Sequence, residues 1–175
     1  MGPGLSHETR AQIILYTEIM KQEKQYWLMK SEPSEYSIDD LARDKRVPWY
    51  GVRNYQARNF MRDEMQPGDA VLFYHSSCAE PGVAGIAEVI GAPYPDMTQF
   101  DKTSPYYDPK SDQETPRWML VDVKFVKKFK SVLSIAALRR EKTLAGLIIL
   151  RPGNRLSVTP VSKREFEKIV RTAIS

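Results

Sequence analysis

Glycine and alanine thread through the most strand-like part of this chain, and that narrows what it can fold into. Across Val83–Gly91, Ala84, Ile86 and Glu88 alternate with Val83, Gly85, Ala87 and Val89. Small residues repeated along a strand leave space for another backbone, or for a bend of the kind found in barrels. Other runs carry strand signatures too. Tyr26–Lys30 is aromatic and apolar and stops at Ser-Glu-Pro, and Ala70–Ser76 follows the turn Pro67-Gly68-Asp69. In Trp118–Phe129, Met119, Val121, Val123 and Phe125 alternate with Leu120, Asp122 and Lys124. Val47–Trp49, Leu147–Leu150 and Leu156–Val158 are shorter candidates.

Helical spacing is confined to short segments between these runs. Ser37, with Asp40 three residues on, predicts a capped helix over Ile38–Asp44. Asn54 predicts another to about Met65, burying Ala57, Phe60, Met61 and Met65 on one face. Ser134 caps a helix through Arg140. Ser162 and Glu165 form a capping box before a helix that buries Phe166, Ile169, Val170, Ala173 and Ile174. The sum is an α+β fold: a curled mixed sheet or small barrel of five or six strands with small peripheral helices. A proline-rich, patternless stretch, 92–117, is too long for a plain connection and is expected to serve function.

The 175 residues fit one domain, and no repeat or second domain is visible. Residues 1–24 lack both turn signals and periodicity. Met20 falls just before the first strand, so this segment is expected to be an extension that need not be native, with the domain proper at 25–175. No apolar stretch approaches the roughly 18 residues of a membrane span, and no membrane partner is expected. The single cysteine, Cys78, fits a reducing setting, cytoplasmic or, in a eukaryote, nuclear. Charge is uneven: residues 118–175 hold thirteen Lys/Arg against four Asp/Glu, and residues 1–117 hold thirteen against eighteen. Such a basic half is either a footprint for a polyanion or a solvated surface kept for solubility.

Enzymatic signals are thin. There is no phosphate-cradling Gly-rich Lys motif and no dinucleotide fingerprint, and the only histidines are His7 and His75. A His/Cys metal cluster cannot be assembled, and no cofactor is expected. His75 and Cys78 invite a nucleophile–base reading, but nothing in the sequence brings them within reach.

Two long runs are unusual: Tyr26-Trp27-Leu28-Met29-Lys30-Ser31-Glu32-Pro33 and Trp49-Tyr50-Gly51-Val52-Arg53-Asn54-Tyr55-Gln56-Ala57-Arg58-Asn59. With Gly68-Asp69, Phe73-Tyr74-His75-Ser76, Gly85-Ile86-Ala87, Asp108-Pro109 and Trp118, the chain closely resembles an EVE domain from about Gln25 to Val170. The resemblance implies a PUA-like pseudo-barrel, akin to PUA, ASCH and YTH domains. YTH domains bind a methylated adenine in an aromatic cage, and EVE domains are associated with modified bases, especially cytosines. It therefore implies a non-enzymatic reader of one modified base in DNA or RNA, single-stranded or flipped. An enzyme acting on a modified nucleotide and a protein-interaction module in the same groove are the alternatives.

On that reading Trp49 stacks on the base, with Tyr50 beside it. Ser31, Glu32 and Asn54 read its edge, since a carboxylate can accept from a cytosine amino group. Tyr107, or its neighbour Tyr106, closes the opposite side from the 92–117 loop. Lys30, Arg53, Arg58, Lys127 and Lys128 hold phosphates. Trp49 is expected to serve as a wall whose loss spares the fold. The competing readings are local: Ser31 and Glu32 bonded to nearby backbone, Trp49 in the core, and Arg53 to Arg58 as an ordinary capped helix.

Overall fold

The structure, a computed structural model, describes residues 23–174, so the expected extension lies outside the described residues but for its last two. The strands are β1 (Tyr26–Ser31), β2 (Arg46–Pro48), β3 (Ala70–His75), β4 (Gly82–Pro95), β5 (Met119–Ser134) and β6 (Val158–Val161). The helices are α1 (Ile38–Asp44), α2 (Tyr55–Asn59), α3 (Ile135–Arg140) and α4 (Lys163–Ile174). A π-helical turn, Phe60–Glu64, prolongs α2.

The six strands form one sheet in the order β2-β5-β4-β3-β1-β6. β1 runs parallel to β3, with Trp27 opposite Val71 and Met29 opposite Phe73, and the other neighbours are antiparallel. Both faces of this sheet are covered. Trp27, Met29, Val71 and Phe73 join Trp49, Met61 and Val121 in one core cluster. Leu28 and Leu72, one step out of phase, join Leu138, Leu147 and Ile169 in a second. Burial on both sides is why β1 and β3 read as continuous apolar runs rather than alternating ones.

The small residues of β4 do what their spacing suggests. A Cβ on Gly85 would land on the Lys127 carbonyl oxygen, and one on Gly82 would land on that of Leu133. The β4–β5 ladder also slips register between Val83 and Gly85, Ile86 and Ala87, and Ile90 and Tyr94. Such irregularities bend and twist a long ribbon. The outcome is an α+β fold, an open pseudo-barrel of six mixed strands with small helices around it.

Local caps form as their residue types predict. The Ser37 hydroxyl accepts from the Asp40 N–H while the Asp40 carboxylate accepts from the Ser37 N–H. Ser162 and Glu165 repeat that exchange ahead of α4. One tie is non-local. Buried Asp69 accepts from the Trp27 indole N–H at 2.9 Å and from the Gln25 and Gln66 backbone N–H groups, fastening the start of β1 to the turn before β3.

Two expectations are corrected. Leu147–Leu150 is no strand: Ile148–Leu150 forms a 3-10 turn, with Leu147 and Ile149 buried in the second cluster. A four-residue apolar run does not by itself distinguish a strand from a turn of helix. Nor is 92–117 without pattern. β4 continues to Pro95, and a 3-10 turn follows at Met97–Phe100. The fully buried Gln99 then gathers the remainder, donating to the Asp96 and Trp118 carbonyls and accepting from the Ser111 hydroxyl and the Trp118 N–H. Among the described residues no helix is long and apolar enough to cross a membrane.

Candidate functional site

β1 and its neighbour β3 end together, the Ser76 N–H donating to the Ser31 carbonyl at 2.9 Å. Beyond these ends opens a cavity of about 460 Å³, the size of a small-molecule site. The exit of β1 supplies Lys30, Ser31 and Glu32, the segment after β2 supplies Trp49 to Arg53, and Tyr106 comes from the 92–117 segment. Tyr36, Ser76, Arg155 and Ser157 complete much of the rim.

The walls are aromatic. Trp49 is 8% exposed and meets Phe73 edge-on at 5.5 Å. It thus belongs to the core and to the cavity at once, which corrects the expectation of a wall separate from core packing. Its indole N–H has no acceptor among the described residues. Tyr50 is 54% exposed and meets Tyr106 in a T-shaped contact at 5.9 Å. Tyr106 lies against Gly51, whose φ of +84° only glycine adopts without strain. A Cβ there would stand 2.7 Å from the tyrosine ring.

Tyr106 is held by a charged strut. The Arg53 guanidinium donates to the Tyr106 carbonyl, the Val52 carbonyl, the Thr98 hydroxyl and the Asp96 carboxylate, the last at 2.9 Å. Asp96 also accepts from the Gly51 N–H and from the N–H and hydroxyl of Thr98. Burial by itself would raise the Asp96 carboxyl, but the Thr98, Gly51 and Arg53 hydrogen bonds outweigh it and hold its pKa below the usual value. Lys30 has no carboxylate partner among the described residues, and burial lowers the pKa of its ammonium.

The residues singled out in the sequence therefore separate. Lys30, Ser31, Glu32, Trp49, Tyr50 and Arg53 line the cavity. The Ser31 hydroxyl is committed as a donor to the Tyr36 carbonyl at 2.7 Å, so only its lone pairs face a ligand. Arg53 serves as a strut and not as a free phosphate clamp. Asn54 is outside the lining because its side-chain oxygen caps α2, accepting from the Ala57 N–H. Arg58, also outside, donates to the Arg117 carbonyl and to Asn59. Of the two tyrosines, Tyr106 reaches the cavity and Tyr107 does not. Lys127 and Lys128 project from β5 away from the lining, Lys128 pairing with Asp39 at 2.6 Å. Sequence reasoning missed Arg155, Tyr36 and Asp96; the last is tied to Gly51 and Arg53, more than forty positions back along the chain.

His75 sits beside this region with its Nε2 accepting from the Ile38 N–H at 3.1 Å, so it is neutral and bonds α1 rather than Cys78. Burial lowers its pKa from 6.5, with nearby Lys128 adding to the effect and Asp39 opposing it. As pH falls the unfolded chain takes up this proton before the folded one does. Stability is therefore expected to decline from about pH 6.5 to the folded-state pKa and then level off. His75→Gln should flatten that portion of a urea-midpoint profile, and an unchanged profile would contradict the linkage.

The sheet order, the bent β4–β5 ribbon and the cavity at the strand ends define a PUA-like pseudo-barrel. Residues 25–172 match the EVE domain, and the chain belongs to that family. It is 41% identical over 169 residues to human thymocyte nuclear protein 1, covering 86% of this chain and 75% of that one. A hypothetical protein from Leishmania major is 51% identical with a TM-score of 0.82, over 87% of this chain and 96% of the other. The human THYN1 protein, solved in complex with 5-methylcytosine-containing DNA, is 38% identical with a TM-score of 0.81, over 87% and 99% of the two chains.

Proposed function

We propose that this protein is a DNA-binding reader that takes one modified base, a 5-methylcytosine, into the cavity at the ends of β1 and β3. The observation that carries the reading is an aromatic-walled cavity whose edge holds a carboxylate, Glu32, and a cation, Lys30, neither in an ion pair among the described residues, in a chain similar to a protein solved on 5-methylcytosine-containing DNA. Tyr50 and Tyr106 offer apolar faces for the ring and its methyl group. Glu32 accepts from the exocyclic amino group, and the Trp49 indole N–H, which has no acceptor among the described residues, donates to a ring acceptor. Lys30 and Arg155 neutralise the flanking phosphates. Extruding the base costs a few kcal/mol, and least from a single strand, which makes that the preferred form.

Thymine is the decisive competitor, since it shares the methyl group and replaces the amino donor with an acceptor. Single strands differing only in a central 5-methylcytosine, cytosine or thymine are compared by fluorescence anisotropy. The 5-methylcytosine strand is expected to bind tightest. Glu32→Gln is expected to erase most of the preference over thymine, a change of about 1–3 kcal/mol. Equal binding of all three strands by the unaltered protein would end the reading.

A further inference from the structure

Outside the cavity, on the far side of the Arg53 strut, lies a second aromatic arrangement. Tyr55, the first residue of α2, stacks on Trp118 with ring centroids 4.9 Å apart and planes 25° from parallel. Trp118 is only 5% exposed, and its indole N–H is fixed to the Asp108 carboxylate at 2.7 Å. Tyr55 is 53% exposed, so an aromatic surface backed by a buried ring is left open to solvent. The Arg58 guanidinium lies 5.0 Å from the Tyr55 centroid, and Arg117 donates to the Tyr55 hydroxyl at 3.3 Å. Neither arginine has a carboxylate within ion-pair distance among the described residues, although Asp63 and Asp108 lie near enough to be felt. Arg53 joins the two regions, its guanidinium 5.6 Å from the Tyr106 ring of the cavity and 5.4 Å from Trp118.

We infer that the outer surface of Tyr55 is a stacking platform for a second base of the same strand, next to the one held in the cavity. An open tyrosine ring, held still from behind and flanked by two guanidinium groups that have no carboxylate partner among the described residues, is the chemistry that binds single-stranded nucleic acid without reading sequence. Holding the ring beforehand lessens the ordering cost of binding. Arg58 and Arg117 supply charge for the adjoining phosphates. The inference rests on the base-reading function above for what fills the cavity, but the platform acts on plain strands as well.

Anisotropy titrations of a labelled single DNA strand with one central 5-methylcytosine, and of the same strand with plain cytosine, test this beside calorimetry with 5-methyldeoxycytidine monophosphate. Tyr55→Ala is expected to weaken both strands roughly 5- to 150-fold, as the loss of one stacked base implies, and to leave mononucleotide affinity unchanged. Tyr55→Leu, which keeps Trp118 covered, is expected to weaken the strands alike. Tyr55→Phe should bind as the unaltered protein does. Strand affinities untouched by both Tyr55→Ala and Tyr55→Leu would overturn the platform. So would an equal loss of mononucleotide binding, which would place the effect in the cavity. Should the unaltered protein bind both strands equally, the base-reading function fails while a loss in Tyr55→Leu still upholds the platform. Should it bind neither strand, both fail.

Discussion

Trp49→Ala is expected to lower the free energy of unfolding by about 3–5 kcal/mol and to abolish binding of a 5-methylcytosine strand. The side chain is 8% exposed, meets Phe73 edge-on, and shares its cluster with Trp27, Met61 and Val121. Truncation removes that apolar area from the core and leaves a cavity that the close-packed cluster around it relaxes into only in part. Trp49→Phe separates the two roles. It keeps an aromatic ring against Phe73, so most of the stability should persist, but it removes the indole N–H that has no acceptor among the described residues. Its base discrimination should weaken more than its stability. Urea midpoints and anisotropy titrations of both variants check this, and a midpoint unmoved in Trp49→Ala would refute the core assignment.

The dual place of Trp49 shows where the sequence could be read and where it could not. Strand identity, the small residues of β4 and the helix caps at Ser37, Asn54, Ser134 and Ser162 depend on neighbours within a few residues, and periodicity reports those. The location of the cavity was legible through two long motifs, Tyr26–Pro33 and Trp49–Asn59. The division of labour inside them was not. Arg53 has the look of a phosphate clamp at a helix start, yet its partners Asp96, Thr98 and Tyr106 lie more than forty positions away. Asn54 is drawn off by its cap. Tyr106 and Tyr107 are adjacent, and only the Gly51 contact and the Arg53 bond to the Tyr106 carbonyl decide between them. Gln99, buried and hydrogen-bonded throughout, orders a segment whose composition resembles an open loop.

Asp96→Ala is expected to be the most damaging change to the cavity that touches none of its walls. Asp96 is 1% exposed and receives the Gly51 N–H, the Arg53 guanidinium and both donors of Thr98. Removing it strands a guanidinium that is itself only 21% exposed, and breaking a buried pair from one side costs about 3–5 kcal/mol. Gly51 and the Tyr106 segment lose their common anchor, so binding of the 5-methylcytosine strand should also fall, even at temperatures where the variant remains folded. Asp96→Asn keeps the shape and one accepting oxygen, and should lie between the two. The folded-state pKa of Asp96 is below its usual value, so its contribution is present above the unfolded pKa of about 3.8 and is lost as pH falls through the folded value. The acid limb of the stability profile should accordingly be shallower in Asp96→Ala. Adding Arg53→Met to Asp96→Ala should cost less than the two single changes together, because the stranded charge is then gone. Strict additivity in that cycle would mean that Arg53 and Asp96 do not act as one strut.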